Sequence, residues 1–331
     1  MNHRERVLDF IEKFPGRDDD EIATVLEISP RQSVNLVCRV LCRDGLIRRE
    51  RGPRGKLVNF ATNIVRAGAV GASNLADTRP GANQRVKWLA NKPIVEEVTN
   101  FYGEMKSDPY HRFRSWEHCY SYFSSDPKDH EIASLHLAFY LASWGMYRGS
   151  SFLLQKDYRV HIGAVERILG RDNSVLRNLS LTQFSSGRDA KPTSELFDLI
   201  RSVKSWYKDN ASTEDETANV TDTLATKILL GTLGCVPAYD RFFIAGLKLC
   251  GLSYSYLNKN NFEEMIAFCM EHKAEFMQAQ ANILSCGIDY PIMKIIDMYF
   301  WKLGEKQDRI AALEREDVAL SDQGSLEKPA D

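Results

Sequence analysis

Apolar residues recur at helical spacing along most of this chain, and the most clearly bounded of these segments covers residues 29–45. Its apolar positions follow the series i, i+3, i+4 and i+7, which predicts a helix that buries one stripe. The stripe consists of Val34, Val37, Cys38 and Leu41. Ser29 and Pro30 are typical of a helix start, with Ser29 as the N-cap. Gly45 suits a left-handed cap at the end.

The other side of this helix is polar. Its members at spacing four are Arg31, Asn35, Arg39 and Arg43, with Gln32 and Ser33 beside them. Gln32 also stands three residues after Ser29, which predicts a capping box. Arg, Asn and Gln side chains make paired hydrogen bonds to guanine and adenine edges in a major groove. A solvated face on an ordinary surface helix has the same pattern, so the helix alone leaves both interpretations open.

The flanking segments predict further short elements around this helix. An amphipathic helix covers 3–14 and stops at a Pro-Gly pair, and a short helix with acids in its first turn covers 18–28. Residues 46–51 and 56–60 are typical of two strands of a hairpin, joined by a turn at 52–55. The predicted order is therefore helix, helix, turn, helix and a basic hairpin.

This order resembles the winged helix-turn-helix family over about the first sixty residues. The resemblance is carried by Glu21-Ile22-Ala23, by the turn Ile28-Ser29-Pro30, and by the segment from Asp44 to Arg49 that leads into the hairpin. It implies that the third helix enters the major groove of duplex DNA and that the hairpin, or wing, contacts phosphates or the minor groove. Some members of the family use the same fold to bind protein.

The resemblance and the polar pattern together give a set of expected DNA contacts. Asn35 and Arg39 are expected to read bases, whereas Arg49, Arg51 and Arg54 are expected to hold phosphates. The complete set is Arg31, Gln32, Ser33, Asn35, Arg39, Arg43, Arg48, Arg49, Arg51, Arg54 and Lys56.

Local charge favours DNA over protein as the partner of this module. Residues 31–60 contain eight basic and two acidic residues, a formal charge of +6, whereas the whole chain has a formal charge of −2. A basic segment on a nearly neutral protein is the electrostatic footprint expected of a nucleic-acid reader.

Length and composition place limits on the class of protein. A chain of 331 residues with 44% hydrophobic residues has room for two or three globular domains. No apolar run approaches the length of a membrane helix, and the N-terminus predicts an amphipathic helix, not a signal peptide. Seven scattered cysteines suit reduced thiols in the cytoplasm, and Cys38 with Cys42 lacks the second pair that a zinc site needs. No metal, cofactor or membrane partner is expected.

Beyond the hairpin the sequence predicts a linker at 63–91, an all-helical domain at 92–310 and a disordered acidic tail at 311–331. Within the helical domain, the segment 131–147 is apolar nearly all round, which predicts a central helix. The predicted fold class is thus mainly α, with an N-terminal winged helix-turn-helix and an all-helical C-terminal domain.

Two segments of the helical domain carry candidate chemistry. Around Arg148, residues 143–151 combine small and aromatic residues, which is typical of a close helix crossing or of a pocket that binds an anion. The segment 226–241 loosely resembles the part of helix-hairpin-helix DNA glycosylases that ends in their catalytic Asp, and Asp240 matches that position. The hairpin's Gly-x-Gly turn is absent, however, and Asp240 also suits a helix N-cap.

The sequence therefore predicts a cytoplasmic DNA-binding protein, similar to transcriptional regulators, and leans against an enzyme. Its helical domain is expected to form a homodimer, or to bind a ligand or a protein partner. The alternative is a DNA-repair or phage-defence component, similar to a glycosylase or nuclease, that docks through the same module and uses Asp240 or Arg148.

Overall fold

The fold is given by a computed structural model, which describes residues 3–52, 56–62, 92–125, 127, 129–170, 173–184, 191–212, 218–283 and 287–326. The predicted linker at 63–91 and the expected contact Arg54 lie outside these residues. The described residues are mainly helical, with fourteen α-helices and one three-stranded sheet. None of these helices combines the length and the apolar character needed to span a bilayer.

The described residues form two compact units. One contains residues 3–62 together with 306–326, and the other contains Lys92–Glu305. The elements of the first unit before residue 63 are α1 (His3–Lys13), β1 (Arg17–Asp18), α2 (Asp19–Leu26), α3 (Gln32–Arg43), β2 (Ile47–Arg51) and β3 (Leu57–Ala61).

The small sheet of the first unit has the strand order β1-β3-β2, and both pairs are antiparallel. Asn59, in the middle of β3, lies between Arg17 on one neighbour and Arg49 on the other. The hairpin of β2 and β3 agrees with the predicted strands, whereas β1 is only two residues long and has no periodicity from which to predict it.

Helix α3 begins later than its sequence predicts. Ser29 does not cap it: the helix starts at Gln32, and Arg31 occupies the cap position without a side-chain cap bond. The chain instead turns through residues 30–33, where the N–H of Ser33 donates to the carbonyl of Pro30 at 2.9 Å. The expected capping box between Ser29 and Gln32 is therefore wrong. Ser29 lies three residues before the helix and Gln32 is its first residue, so neither occupies the position that a capping box requires.

The predicted end of α3 is confirmed. Gly45 has φ +72°, a left-handed conformation that side chains disfavour. The N–H of Leu46 then donates to the carbonyl of Leu41 at 2.9 Å, which closes the helix end. The capping box of this unit lies one helix earlier, where the side chain of Asp18 caps α2 and Glu21 returns the bond.

The second unit contains ten complete helices and the first part of an eleventh. They are α4 (Ile94–Ser107), α5 (Arg114–Ser124), α6 (His130–Ser143), α7 (Ile162–Gly170), α8 (Leu181–Phe184), α9 (Lys191–Ala211), α10 (Asp222–Thr232), α11 (Arg241–Leu249), α12 (Lys259–Glu271), α13 (Lys273–Ile283) and α14 (Ile292–Leu326). Short 3₁₀ segments lie at Phe152–Gln155, Tyr158–His161 and Ser174–Leu176.

The central helix of the second unit is α14, not the predicted segment 131–147. Every residue from 292 to 304 in α14 is buried. Helix α11 approaches it backbone to backbone at two points, since a Cβ on Gly246 would lie 1.9 Å from the Phe300 carbonyl oxygen and one on Gly304 would lie 1.9 Å from that of Phe242. Helix α6 instead buries only one side.

The C-terminal segment also differs from its prediction. Residues 311–326 continue α14 as helix, and 327–331 lie outside the described residues. The charges in this segment suggested disorder, but its Ala, Leu, Glu and Arg residues are strong helix formers. Intrinsic propensity therefore explains why the helix runs on.

Candidate nucleic-acid interface

The outward face of α3 is formed by Gln32, Leu36, Arg39 and Arg43, all of which are exposed. The opposite face holds the helix in place through Val34, Cys38 and Leu41, which are completely buried. Leu36 is 62% exposed in the middle of the outward face. Leu36 is not among the contacts expected from the sequence, because only polar residues were assigned to the DNA-facing side and only Val34, Val37, Cys38 and Leu41 to the apolar stripe. The spacing of Leu36 to Gln32, Arg39 and Arg43, at four, three and seven residues, could have placed it there.

Asn35 and Arg49 point into the module instead of toward solvent. The amide of Asn35 donates to the Asp19 carboxylate at 2.6 Å, and the guanidinium of Arg49 donates to the same oxygen at 2.5 Å. The side chains of Arg49 and Asp19 are only 8% and 6% exposed. The expected roles of Asn35 in base reading and of Arg49 in phosphate binding are thus corrected, since both groups are already used to hold α3 and β2 against α2.

Asp19 is the centre of this buried network. Its second oxygen accepts a hydrogen bond from Asn59 at 3.0 Å. Burial by itself would raise the pKa of Asp19, but the bonds from Asn35 and Asn59 and the charge of Arg49 together lower it below its ordinary value. The carboxylate is therefore held ionised, and it links α2, α3 and both strands of the hairpin.

Two of the expected cations are paired with acids at the start of α2. Arg31 forms an ion pair with Asp20, although the Arg31 side chain is 63% exposed. The ammonium of Lys56 lies 2.9 Å from Asp20 and 3.4 Å from Asp18, and the bond to Asp20 raises the pKa of Lys56. These contacts neutralise part of the basic face.

Two further cations also have acidic neighbours. Arg43 lies 3.3 Å from Asp44, and Arg48 forms an ion pair with Glu50 while its guanidinium lies 4.6 Å from the centre of the Phe60 ring. All four charged side chains remain accessible to solvent. Exposed pairs of this kind contribute little to stability.

Two of the expected cations, Arg39 and Arg51, are the most accessible to a bound anion. Within the part of the module that the structure describes, Arg39 and Arg51 are exposed and have no hydrogen-bond or ion-pair partner. Ser33 is half-buried in the first turn of α3. Over residues 1–62, twelve basic and ten acidic residues give a formal charge of +2, less than the +6 of residues 31–60 alone. The basic character is thus local to the face of α3 and the hairpin.

Asp240 is fixed as a helix cap. One of its oxygens accepts the backbone N–H groups of Phe242 and Phe243, each at 3.1 Å, and the other lies 2.9 Å from the ammonium of Lys227. Lys227 is buried with 3% of its side chain exposed. Both oxygens of Asp240 therefore have structural partners, which agrees with the N-cap alternative and not with a free catalytic carboxylate.

Arg148 lies in an exposed loop after α6. Gly145 and Gly149 both have positive φ there, and the Arg148 guanidinium lies 3.0 Å from the position that a Cβ on Gly145 would take. The close helix crossing expected at this loop is found elsewhere, between α11 and α14. Arg148 has no ion-pair partner among the described residues, and it is exposed to solvent.

Metal ligation and cysteine chemistry add no site to the residues described here. They contain no group of three or more His, Cys, Asp or Glu side chains that could hold a metal ion. The described cysteines are free, and burial raises the pKa of Cys38 to about 12.

Comparison of the chain with family models, with curated proteins and with solved structures gives no match.

Proposed function

We propose that this chain is a duplex DNA-binding protein whose first 62 residues form a winged helix-turn-helix module. In this proposal α3 enters the major groove, and the hairpin of β2 and β3 is the wing. The order of the elements supports it, because α2 and α3 are joined by a short turn and a hairpin follows directly. The buried network around Asp19 also supports it, because it fixes α3 relative to the hairpin.

The observation that carries the proposal is the outward face of α3. Arg39 is an exposed guanidinium without a partner in the described module, and bidentate binding of Arg to guanine is the commonest specific contact in a major groove. Gln32 matches adenine, and Leu36 offers an apolar contact to a thymine methyl group. A rigid helix that presents these three kinds of side chain next to one another is suited to binding base edges in the groove.

The exposures suggest a division of labour between base and backbone contacts. Arg39 and Gln32 are proposed to read bases, and Arg51 is proposed to hold a phosphate together with Arg43, Arg48 and Lys56. Phosphate contacts position a protein on DNA without reading its sequence. Asn35 and Arg49 are left out of both groups, because Asp19 already binds them.

We further propose a cytoplasmic, regulator-like role in which the helical unit forms a homodimer and responds to a ligand or a protein partner. Two reading helices would give the affinity and specificity that one lacks. The alternative, a repair or defence enzyme that uses Asp240, is disfavoured by the pairing of both Asp240 oxygens.

The test is fluorescence anisotropy of the full chain with labelled duplexes over a range of salt concentrations. We expect binding whose affinity falls as salt rises, since each phosphate contact releases counterions. Arg39→Ala should cost about 1–3 kcal/mol on a selected site and little on other duplexes. Arg51→Ala should weaken all duplexes alike and reduce the salt slope by about 1.

Arg201→Ala is the matched control, because Arg201 is 72% exposed and lies on α9 of the other unit. It should leave binding unchanged. The proposal is contradicted if the protein binds no duplex at low salt, or if Arg201→Ala weakens binding as much as Arg39→Ala does.

A further inference from the structure

Helix α6 exposes an apolar face. Ile132, Leu135 and Phe139 are 40%, 43% and 60% exposed, and their spacing of three and four residues places them on one side of the helix. Ala142, three residues further on, is also exposed on that side. A large aromatic and two branched aliphatic side chains in one row form an apolar patch and not scattered surface residues.

The opposite side of α6 is equally apolar and is buried. Leu137, Tyr140 and Leu141 are at most 1% exposed and pack into the second unit. A helix that is apolar on both sides is typical of an interior position. Helix α6 thus has the composition of an interior helix but a surface position, and none of the described residues covers this side of it.

The two ends of α6 carry opposite charges. At its N-terminus, Asp129 is the cap and Glu131 is exposed in the first turn. At its C-terminus, the guanidinium of Arg112 donates to the Ser143 carbonyl at 3.4 Å, and the exposed Arg148 follows three residues after Gly145, which has a left-handed conformation. A partner that fits this face needs a basic group at one end and an acidic group at the other.

Arg159 also interacts electrostatically with Glu131, but its own guanidinium is already occupied. It donates two bonds to Asp157, at 2.9 and 2.5 Å. The acidic end of α6 therefore keeps charge available for a second cation.

We propose that the partner is a second copy of this chain, with the two α6 helices packed antiparallel about a two-fold axis. A two-fold interface must be complementary to itself. The antiparallel arrangement meets this condition, because it sets the acidic end of each helix against the basic end of the other. It also places Phe139 of one protomer against Leu135 of its partner near the axis.

The size of the patch sets the expected strength. A helix of fourteen residues is about 21 Å long and about 10 Å wide, which is a footprint well below the roughly 800 Å² per partner of a standard interface. We therefore expect a dimer that dissociates in the micromolar range. This inference deepens the homodimer of the proposed function, and it is measured without DNA, so that failure of either one is seen separately.

The first test is sedimentation velocity of the full chain from about 1 to 200 μM, where dimers of micromolar affinity form. Phe139→Ser should raise the dissociation constant about 30-fold, because buried aromatic anchors dominate small interfaces. Tyr256→Ser is the matched control, since Tyr256 is an aromatic side chain that is 63% exposed elsewhere on the same unit. It should leave the constant unchanged.

The second test reverses charges across the proposed interface. Glu131→Arg and Arg148→Glu should each weaken the dimer, because each puts like charges opposite one another, and the double variant should restore it. Circular dichroism confirms that each variant keeps its helices. A protein that is monomeric at every concentration, a dimer that is indifferent to Phe139→Ser, or single reversals that the double variant does not rescue would each overturn the antiparallel pairing.

Discussion

A single carboxylate connects four elements of the first unit. Asp19 of α2 binds Asn35 of α3, Arg49 of β2 and Asn59 of β3, at distances between 2.5 and 3.0 Å. A buried polar network of this kind positions its elements firmly only while each member keeps its partners. The orientation of the proposed reading helix therefore depends on the ionised state of Asp19.

Replacement of Asp19 by Asn should destabilise the first unit by about 3–5 kcal/mol at pH 7, because it leaves the buried Arg49 guanidinium without a counterion. The pKa of Asp19 is lowered in the folded chain, so its contribution is fully present above the unfolded value of 3.8 and is lost as the pH falls through the lower folded pKa. The difference in the free energy of unfolding between wild type and Asp19→Asn should thus shrink below pH 3.8.

Urea unfolding at pH 7, 5, 3.5 and about 2.5, followed by circular dichroism, measures this difference across the range in which the contribution is lost. Asp198→Asn is the control, since Asp198 is 49% exposed and pairs with Arg201 on one turn of α9. It should cost under about 1 kcal/mol at every pH. A constant penalty for Asp19→Asn over this range would show that the carboxylate charge is not what stabilises the network.

At the scale of elements, the close approach of α11 to α14 depends on glycine. The Cβ of an alanine at position 246 would lie 1.9 Å from the Phe300 carbonyl oxygen, and that oxygen belongs to the backbone of the central helix. Gly246→Ala should therefore destabilise the second unit by about 1–3 kcal/mol, as overpacking does. Thermal or urea unfolding measures the loss.

Gly103→Ala is a control with the same change in chemistry. Gly103 lies inside α4, and a Cβ there would meet nothing within 4 Å. This variant should stabilise the protein by about 0.5–1 kcal/mol, because alanine loses less entropy than glycine in a helix. Equal effects of the two substitutions would mean that the two helices separate easily.

The elements were predictable where a local rule decides them. The predicted stripe of α3 and its stop at Gly45 follow from spacing and from glycine chemistry. The stop is confirmed, and so is the burial of Val34, Cys38 and Leu41, whereas Val37 is only half-buried. The start of α3 was not predictable in the same way. Ser29 is a residue type that commonly caps helices, but the chain makes one more turn, through residues 30–33, before the helix begins. The side chains of Asn35 and Arg49 point into the module because they bind Asp19. Asp19 is distant from both in sequence, so no local pattern predicts this contact.

The central helix of the second unit was not predictable from the hydrophobic pattern. Helix α14 is buried although it contains Lys294, Asp297 and Lys302, which a hydropathy pattern assigns to solvent. Their charges are compensated inside: Lys294 lies 2.8 Å from Asp297, and Lys302 lies 3.0 Å from Glu104. Helix α6 has fewer charged residues than α14 but exposes one side to solvent. The apolar content of a helix therefore does not by itself predict how deeply the helix is buried.

At the scale of the whole molecule, the charge that the proposed DNA-binding module presents depends on its ion pairs as well as on its composition. Asp20 pairs with both Arg31 and Lys56 and so competes with phosphate for these two cations. Removal of this one carboxylate should therefore turn a weak basic surface into a stronger one. Its side chain is 32% exposed, so the change does not disturb the core.

Asp20→Asn should raise the affinity of the full chain for all duplexes and steepen the dependence of log affinity on log salt by up to about 2, because two released cations add up to two phosphate contacts. Glu12→Gln removes the same charge from α1, at an exposed residue without an ion-pair partner among the described residues. It should raise affinity only slightly, through net charge. Anisotropy titrations of both variants at several salt concentrations distinguish the two effects. If Asp20→Asn and Glu12→Gln behave alike, Arg31 and Lys56 do not contact DNA, and the proposed interface is limited to the outward face of α3 and to Arg48 and Arg51.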